Sequence, residues 1–262
     1  MKNPLRKRFF RELREEIGKY LVVFILMAAT IGFVSGFLVA DGSMLTAYNN
    51  SFQKYNIEDG KFETEEKIYK NQQEDIEKKG VTLYENFYVE KALLNGTTLR
   101  IFKNRTKVDK VCLMKGKLPE KTGEIAIDRM YADNNKLSVG DSLQSGKRKW
   151  KITGLVALPD YSALFQNNND TMFDAVKFGA AVVTEEEFSS FNQSQLVYNY
   201  AWTYIHKPKT EAQEKKKSED FMEELGKDVT LEEFVPQYLN QAIHFTGDDM
   251  GGDRAMIIVL LY

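Results

Sequence analysis

KYLVVFILMAATIGFVSGFLVAD, Lys19–Asp41, carries no charge between its first and last residues. Leu21 to Ala40 is a run of 20 uncharged residues, and as a helix it would cover about 30 Å, the thickness of a bilayer's hydrocarbon core. Three readings compete: a cleaved export signal, a buried core helix and a membrane span. A signal has a shorter apolar region and a small-residue cleavage site, and Leu38-Val39-Ala40 is a poor one. A core helix apolar on every side needs more covering protein than a small domain supplies. The span is the reading that survives.

The flanks give it a direction. Lys2, Arg6, Lys7, Arg8, Arg11, Arg14 and Lys19 face only Glu12, Glu15 and Glu16 in the head of the chain. Between Asp41 and Asp253 there are 28 basic and 35 acidic residues, so the formal charge of −2 for all 262 residues hides a basic head and an acidic body. A basic head, an apolar bar and an acidic body mark a membrane boundary and argue against a nucleic-acid partner. The positive-inside rule puts the N-terminus in the cytoplasm and the body outside. Leu5, Phe9, Leu13 and Ile17 recur at i, i+4 and form one apolar stripe. That stripe suits a helix anchored on membrane lipid at the inner surface; the plain alternative is a soluble first turn leading into the span.

Inside the span, Ala28, Gly32 and Gly36 recur every fourth residue. The Gly32/Gly36 pair is a GxxxG motif that lets another helix approach closely, although Gly is common in membrane helices anyway. The expected neighbours are further transmembrane helices or a second copy of the chain. After Arg254 comes AMIIVLLY, eight residues and too short to cross a bilayer. It reads as the opening of a second span, truncated at Tyr262. The expected organisation is therefore a cytoplasmic amphipathic helix at 1–19, a transmembrane helix at 20–40, an extracytoplasmic domain at 41–253 and the start of a second span at 254–262.

The outside domain reads as α+β, with strand-helix-strand units at both ends and a β-rich middle, on an N-terminal transmembrane helix. LTAYNNSFQKYN continues the span as a helical stalk, with Leu45, Tyr48, Phe52 and Tyr55 on one side. GKFET is strand-like, and EEKIYKNQQEDIEKKG is a polar helix ended by Gly80. VTLYENFYVEKALL and TTLRIFKNR are strand-like, with Asn95-Gly96 as a hairpin signal between them. EIAID, KWKITGLVAL, AAVVTEEEF and YNYAWTYIHK also read as strands, before a charged helix in KTEAQEKKKSEDFMEELGK.

The chemistry-bearing residues are sparse. Cys112 is the one cysteine, so no intrachain disulfide can form, and VCLM reads as a strand that buries it. No GxxxxGK[ST] phosphate loop is present, so ATP hydrolysis belongs on another chain. His206 and His244 lack zinc-ligand spacing, and no G-x-S-x-G elbow occurs. No catalytic residue, metal or cofactor is assigned. GDDMGGD, Gly247 to Asp253, reads as a flexible acidic joint before the second apolar run, with a calcium loop as the weaker reading because the EF-hand positions fail. QNNNDTMFDAVKFG, Gln166 to Gly179, reads either as a protruding loop that touches a partner or lipid-like ligand, or as disorder.

The most distinctive run is MKGKLPEKTGEIAIDRMYADNNKLSVGDSL followed by KWKITGLVALP. It resembles the extracytoplasmic domain of FtsX-like permeases of the MacB type, in which a "G-x-L-P … E-I … S … G-D-x-(L/I)" run leads into a strand of the form "x-(W/F)-x-(V/I)-x-G-(L/V)". The matching residues here are Gly116, Leu118, Pro119, Glu124, Ile125, Val139, Gly140, Asp141, Leu143, Trp150, Ile152 and Gly154. The opening, ELREEIGKYLVVFILMAATIGFVSGF, looks like permeases of this kind from Gram-positive bacteria. The resemblance implies a non-catalytic permease subunit in the cell membrane, working with a separate ABC ATPase subunit whose cycle moves the spans and the outside domain. The motif residues themselves read as structural: Gly140-Asp141 as turn chemistry, Gly154 as a close backbone approach and Pro119 as a bend before a strand. The competing reading is a membrane-anchored extracytoplasmic binding or sensor protein without transport.

Overall fold

The computed structural model describes residues 14–260, with side chains up to residue 252. The expected anchors Leu5, Phe9 and Leu13 lie outside the described residues, as do residues 261–262 of the expected second span. Ile17 opens the first helix, α1 (Ile17–Lys54), and is exposed. Among the described residues α1 is the one helix long and apolar enough to cross a membrane, judged by length and composition. Leu21, Phe24, Met27, Ile31, Phe33 and Val39 are all more than half exposed. Apolar side chains thus point outward on every side, which suits a lipid surround and not a water one. The hydroxyls of Thr30, Ser43 and Thr46 each donate to a carbonyl one turn back, at 2.7–2.8 Å, so these three satisfy themselves within the helix. Its 38 residues span about 57 Å at the helical rise, nearly twice a bilayer core, so the helix outruns the apolar stretch as a stalk.

Asn49–Asp248 forms one compact unit, and the helical segments on either side of it form another. Within Asn49–Asp248 the fold is α+β, built on two sheets that share a continuous apolar core. The first sheet takes its strands from both ends of the domain. β1 (Gly60–Thr64) leads through α2 (Lys70–Glu77) to β2 (Val81–Glu85), while β10 (Tyr198–Tyr204) leads through a long charged helix (Glu211–Leu225) to β11 (Leu231–Pro236). All pairings are antiparallel in the order β11-β1-β10-β2, so each strand-helix-strand unit is split by a strand of the other. Interleaving two distant segments of chain in this way makes the domain's two ends one structural object. Trp202 at its centre stacks on Phe234 at 4.8 Å and packs against Phe221 at 5.2 Å. Gly60 is required beside it, because a Cβ there would sit 2.2 Å from the Trp202 ring.

The second, seven-stranded sheet is mixed and comes from the middle of the chain. Its order is β3 (Tyr88–Ala92), β4 (Thr98–Lys103), β9 (Phe178–Val183), β6 (Glu124–Asp128), β8 (Arg148–Ala157) and β5 (Cys112–Gly116), with β7 (Ser142–Ser145) also on β8. β3 and β4 form the hairpin expected at Asn95-Gly96, with Gly96 at φ +80°. Short helices α3 (Arg129–Asn134) and α4 (Glu185–Ser189) complete this part, followed in chain order by α5 (Glu211–Leu225) and α6 (Gln241–Leu260).

Four expectations need correction. VTLYENFYVEKALL is not one strand: it breaks at Asn86-Phe87, and its halves join different sheets. AAVVTEEEF is a strand only to Val183, because the Thr184 hydroxyl caps α4 by accepting the Glu187 N–H at 3.2 Å and three glutamates follow at the positive helix end. Cys112 is half-buried instead of buried, since β5 is a sheet-edge strand whose Leu113 and Met114 are 43% and 52% exposed. Gly247–Asp253 is not a flexible joint but part of the continuous helix α6.

Candidate functional site

The stalk enters the domain through a short left-handed step. α1 ends at Lys54, and Asn56 at φ +50° redirects the chain. The loop after β4 meets it there: Asp109 N–H donates to the Asn56 carbonyl at 3.0 Å, and Lys110 N–H to the Tyr55 carbonyl at 2.9 Å. Asp109 is also left-handed, at φ +46°, a conformation Asp and Asn tolerate better than most residues. The Tyr55 hydroxyl reaches the Cys112 Sγ at 3.0 Å.

The chain leaves the domain at the same place. Gln237 N–H donates to the Asp59 carbonyl at 3.0 Å, and its side-chain amide donates to the Glu58 carbonyl. Asn240 Nδ2 lies 3.4 Å from Glu58 Oε1, a long hydrogen bond. Just beyond, the Ser162 hydroxyl faces the carbonyls of Ala242 and Ile243 at 2.8 Å each, and Ala163 N–H donates to Ala242 at 3.0 Å. Phe245 at the start of α6 packs edge-on against Phe165 and Phe173, at 5.6 and 5.2 Å. The Gln166–Gly179 loop is therefore ordered on this seat: Asn168 both donates to the Leu239 carbonyl and accepts from Gln241 N–H, at 3.0 Å each. Met172 at its tip is 78% exposed.

Beneath these crossings lies a buried ionic cluster. Arg105 grips Asp160 with two charge-assisted hydrogen bonds of 2.7 and 2.6 Å, and its guanidinium lies over the Phe102 ring at 4.7 Å. Asp109 Oδ1 accepts the Glu58 N–H at 2.9 Å. Glu58, Asp109 and Asp160 are 1%, 0% and 5% exposed. Burial, then the neighbouring Asp109 and Asp160, hold the Glu58 carboxyl well above the usual range. Burial and Asp160 likewise push Asp109 up to about 7, against the opposing pull of Arg105 and the Glu58 N–H. No spacing in the sequence points to this cluster, whose members come from three separate segments. Arg105 itself closes the strand-like stretch TTLRIFKNR, two positions beyond the end of β4.

The residues of the central motif hold a different corner. Gly116, at φ +77°, and Gly154 face each other across the β5–β8 edge; a Cβ on Gly116 would lie 2.3 Å from the Thr153 carbonyl, and one on Gly154 2.4 Å from that of Lys117. Leu118 packs partly buried against the core, and Pro119 is buried in the following turn. Glu124 caps that turn by accepting the N–H groups of Glu120 and Lys121, and these hydrogen bonds hold its carboxyl below the usual range. Gly140 turns at φ +106°, and Asp141 Oδ2 accepts Ser138 N–H at 2.8 Å. Ile125, Leu143, Trp150 and Ile152 are buried, while Val139 is 37% exposed. Trp150 donates to Glu187 at 2.8 Å, a partner the sequence pattern missed.

The other expected residues lie apart. Ala28, Gly32 and Gly36 are exposed on α1, and among the described residues a Cβ on either glycine would meet nothing within 4 Å. His206 follows β10 and accepts Lys217 at its carbonyl, whereas the His244 ring lies 6.3 Å from Phe52. An open cleft of about 650 Å³ runs between β2 and the ends of β4 and β9. Lys103 and Lys107 share its walls with Glu85, Glu120 and Glu185, a mixture that selects no single ligand charge.

No family model and no curated protein matches the chain. Among solved structures it is similar to the periplasmic region of MacB from Actinobacillus actinomycetemcomitans, at 12% identity over 66% of this chain and 86% of that one, with a TM-score of 0.39. It is also similar to the extracellular domain of the ABC-type transporter YknZ from Gram-positive bacteria, at 12% identity over 64% of this chain and 94% of that one, with a TM-score of 0.32.

Proposed function

We propose that this chain is the N-terminal portion of a permease subunit of an FtsX/MacB-type ABC transporter. It couples ATP hydrolysis on a separate subunit to movement of an extracytoplasmic domain. The observation that carries this reading is the joint anchorage of the two chain crossings. Residues 55–59 and 237–240 bond directly to each other; the first rests on residues 105–112, the stretch 239–243 rests on residues 162–168, and the Arg105–Asp160 pair ties those two supports together. Movement of either flanking helix is then delivered to the domain as a whole and is not lost in a slack linker. The basic head, the apolar run and the acidic body support a cytoplasmic N-terminus and an outside domain. That this sequence holds no phosphate loop supports a nucleotide site on another chain. Ala28, Gly32 and Gly36 are the face on which a further helix or a second permease copy packs.

The test is purification of the full-length product from its native membrane in mild detergent. An ABC ATPase should co-purify, and the Gly32→Ile/Gly36→Ile double variant should lose ATP-dependent activity of the complex while its outside domain stays folded. If the chain comes out without an ATPase, the anchored binding or sensor protein becomes the better account. Undiminished activity in the double variant would remove the helix-packing face.

A further inference from the structure

The ionic cluster is short of positive charge. Glu58, Asp109 and Asp160 are sealed from water beside Arg105, whose two terminal nitrogens are committed to Asp160. Among the described residues Glu58 Oε2 and Asp109 Oδ2 are buried without a hydrogen-bond partner, as is Arg105 Nε. Two anions cannot share such a place, because each would lose its hydration and gain a like-charged neighbour. A metal ion does not answer the need: with both Asp160 oxygens taken, two free carboxylate oxygens fall far short of the six to eight, roughly, that calcium takes. A proton does, because one carboxyl can then donate its O–H to the other carboxylate.

We propose that Glu58 and Asp109 form a proton-binding site that latches the two chain crossings together at neutral pH and loosens them when the proton leaves. Glu58 is the shared element, since its carbonyl and carboxyl receive Gln237 and Asn240. The other groups facing the pair are Lys61 on β1, Arg105 in the loop after β4 and Asp160 in the turn after β8, with Tyr161 beside Arg105. Asp59 is turned away, bound to Tyr204 N–H and Lys207. The raised affinity of both carboxyls for protons agrees with the geometry. The pair releases its protons in two steps that belong to it jointly.

The sign follows from linkage. Unfolded carboxyls release their protons near about pH 4, whereas the folded pair still holds one near about pH 7, so the folded state binds more protons between these limits. The pair's contribution to stability is complete below that window and is lost as pH rises through the folded values.

The experiment uses the full chain in detergent. An infrared band of a protonated, buried carboxyl should be present at neutral pH and disappear in both Glu58→Gln and Asp109→Asn. Amide exchange at residues 237–243 should accelerate about tenfold beyond its intrinsic pH dependence between about pH 7 and 9 in the parent, and stay flat in the variants. If one variant fails to fold, the other decides, because an amide at either position can replace the shared proton. Absence of the band in the parent, its persistence in either folded variant, or a melting temperature that follows added calcium and its chelation would overturn the site. These readouts are independent of transport, so the site can fail while the permease reading stands, and the reverse.

Discussion

Glu187 and Glu58 are both taken almost wholly out of water, at 6% and 1% exposure, yet the two regions treat them in opposite ways. At Glu187 burial works against the charge, but the Gly123 N–H, the Trp150 indole and Arg148 all donate to the carboxylate within 2.9 Å, and its proton affinity falls below the ordinary value. At Glu58 burial meets two further carboxylates and a guanidinium already engaged, and the affinity rises. The first region is a closed structural corner, and the second keeps a protonatable gap where the chain enters and leaves. Burial raises the proton affinity at both, and the donors around Glu187 reverse that rise.

The sharpest way to break this comparison is Arg105→Ala, which strips the cluster of its guanidinium and leaves Asp160 unpaired. It should cost about 3–5 kcal/mol in denaturant unfolding of the full chain. A loss below about 1 kcal/mol would mean that water reaches Asp160 and that the cluster is not sealed. Next comes Glu187→Ala, which orphans the Trp150 and Gly123 donors at a cost of about 2–3 kcal/mol. Because the folded affinity of Glu187 is lowered, its contribution is present above the unfolded value near about pH 4.5 and fades as pH falls. The variant should therefore lose acid-side slope, whereas changes at Glu58 act toward neutral pH. The smallest expected effect is Gly154→Ala, about 1–2 kcal/mol, as the new methyl forces the Lys117 carbonyl back and loosens β5 from β8. Unchanged melting in that variant would show that the edge strand moves freely, and would weaken the view of the motif as a closed corner.

Local patterns carried much of the fold. The alternation in GKFET, EIAID and YNYAWTYIHK marked strands correctly, and Asn95-Gly96 marked a true hairpin. The expected strand-helix-strand units at both ends are real, but their merger into one interleaved sheet has no local sign. The same limit explains the break at Asn86-Phe87: both halves alternate well, and only the partners available across the fold send them to different sheets. Glu58 and Asp109 stand 51 positions apart in the chain, and Arg105 and Asp160 stand 55 apart. Their meeting is a product of loop closure, which periodicity cannot register.

By itself, then, the sequence determined the apolar helix, its charged flanks and the α+β alternation, because each rests on neighbours a few residues apart. Tertiary structure decided which strands pair, that the two crossings share one seat, and which carboxylates lose their water. Those outcomes depend on distant segments competing for the same buried space, where the energy of a charge is set by whatever the fold places beside it.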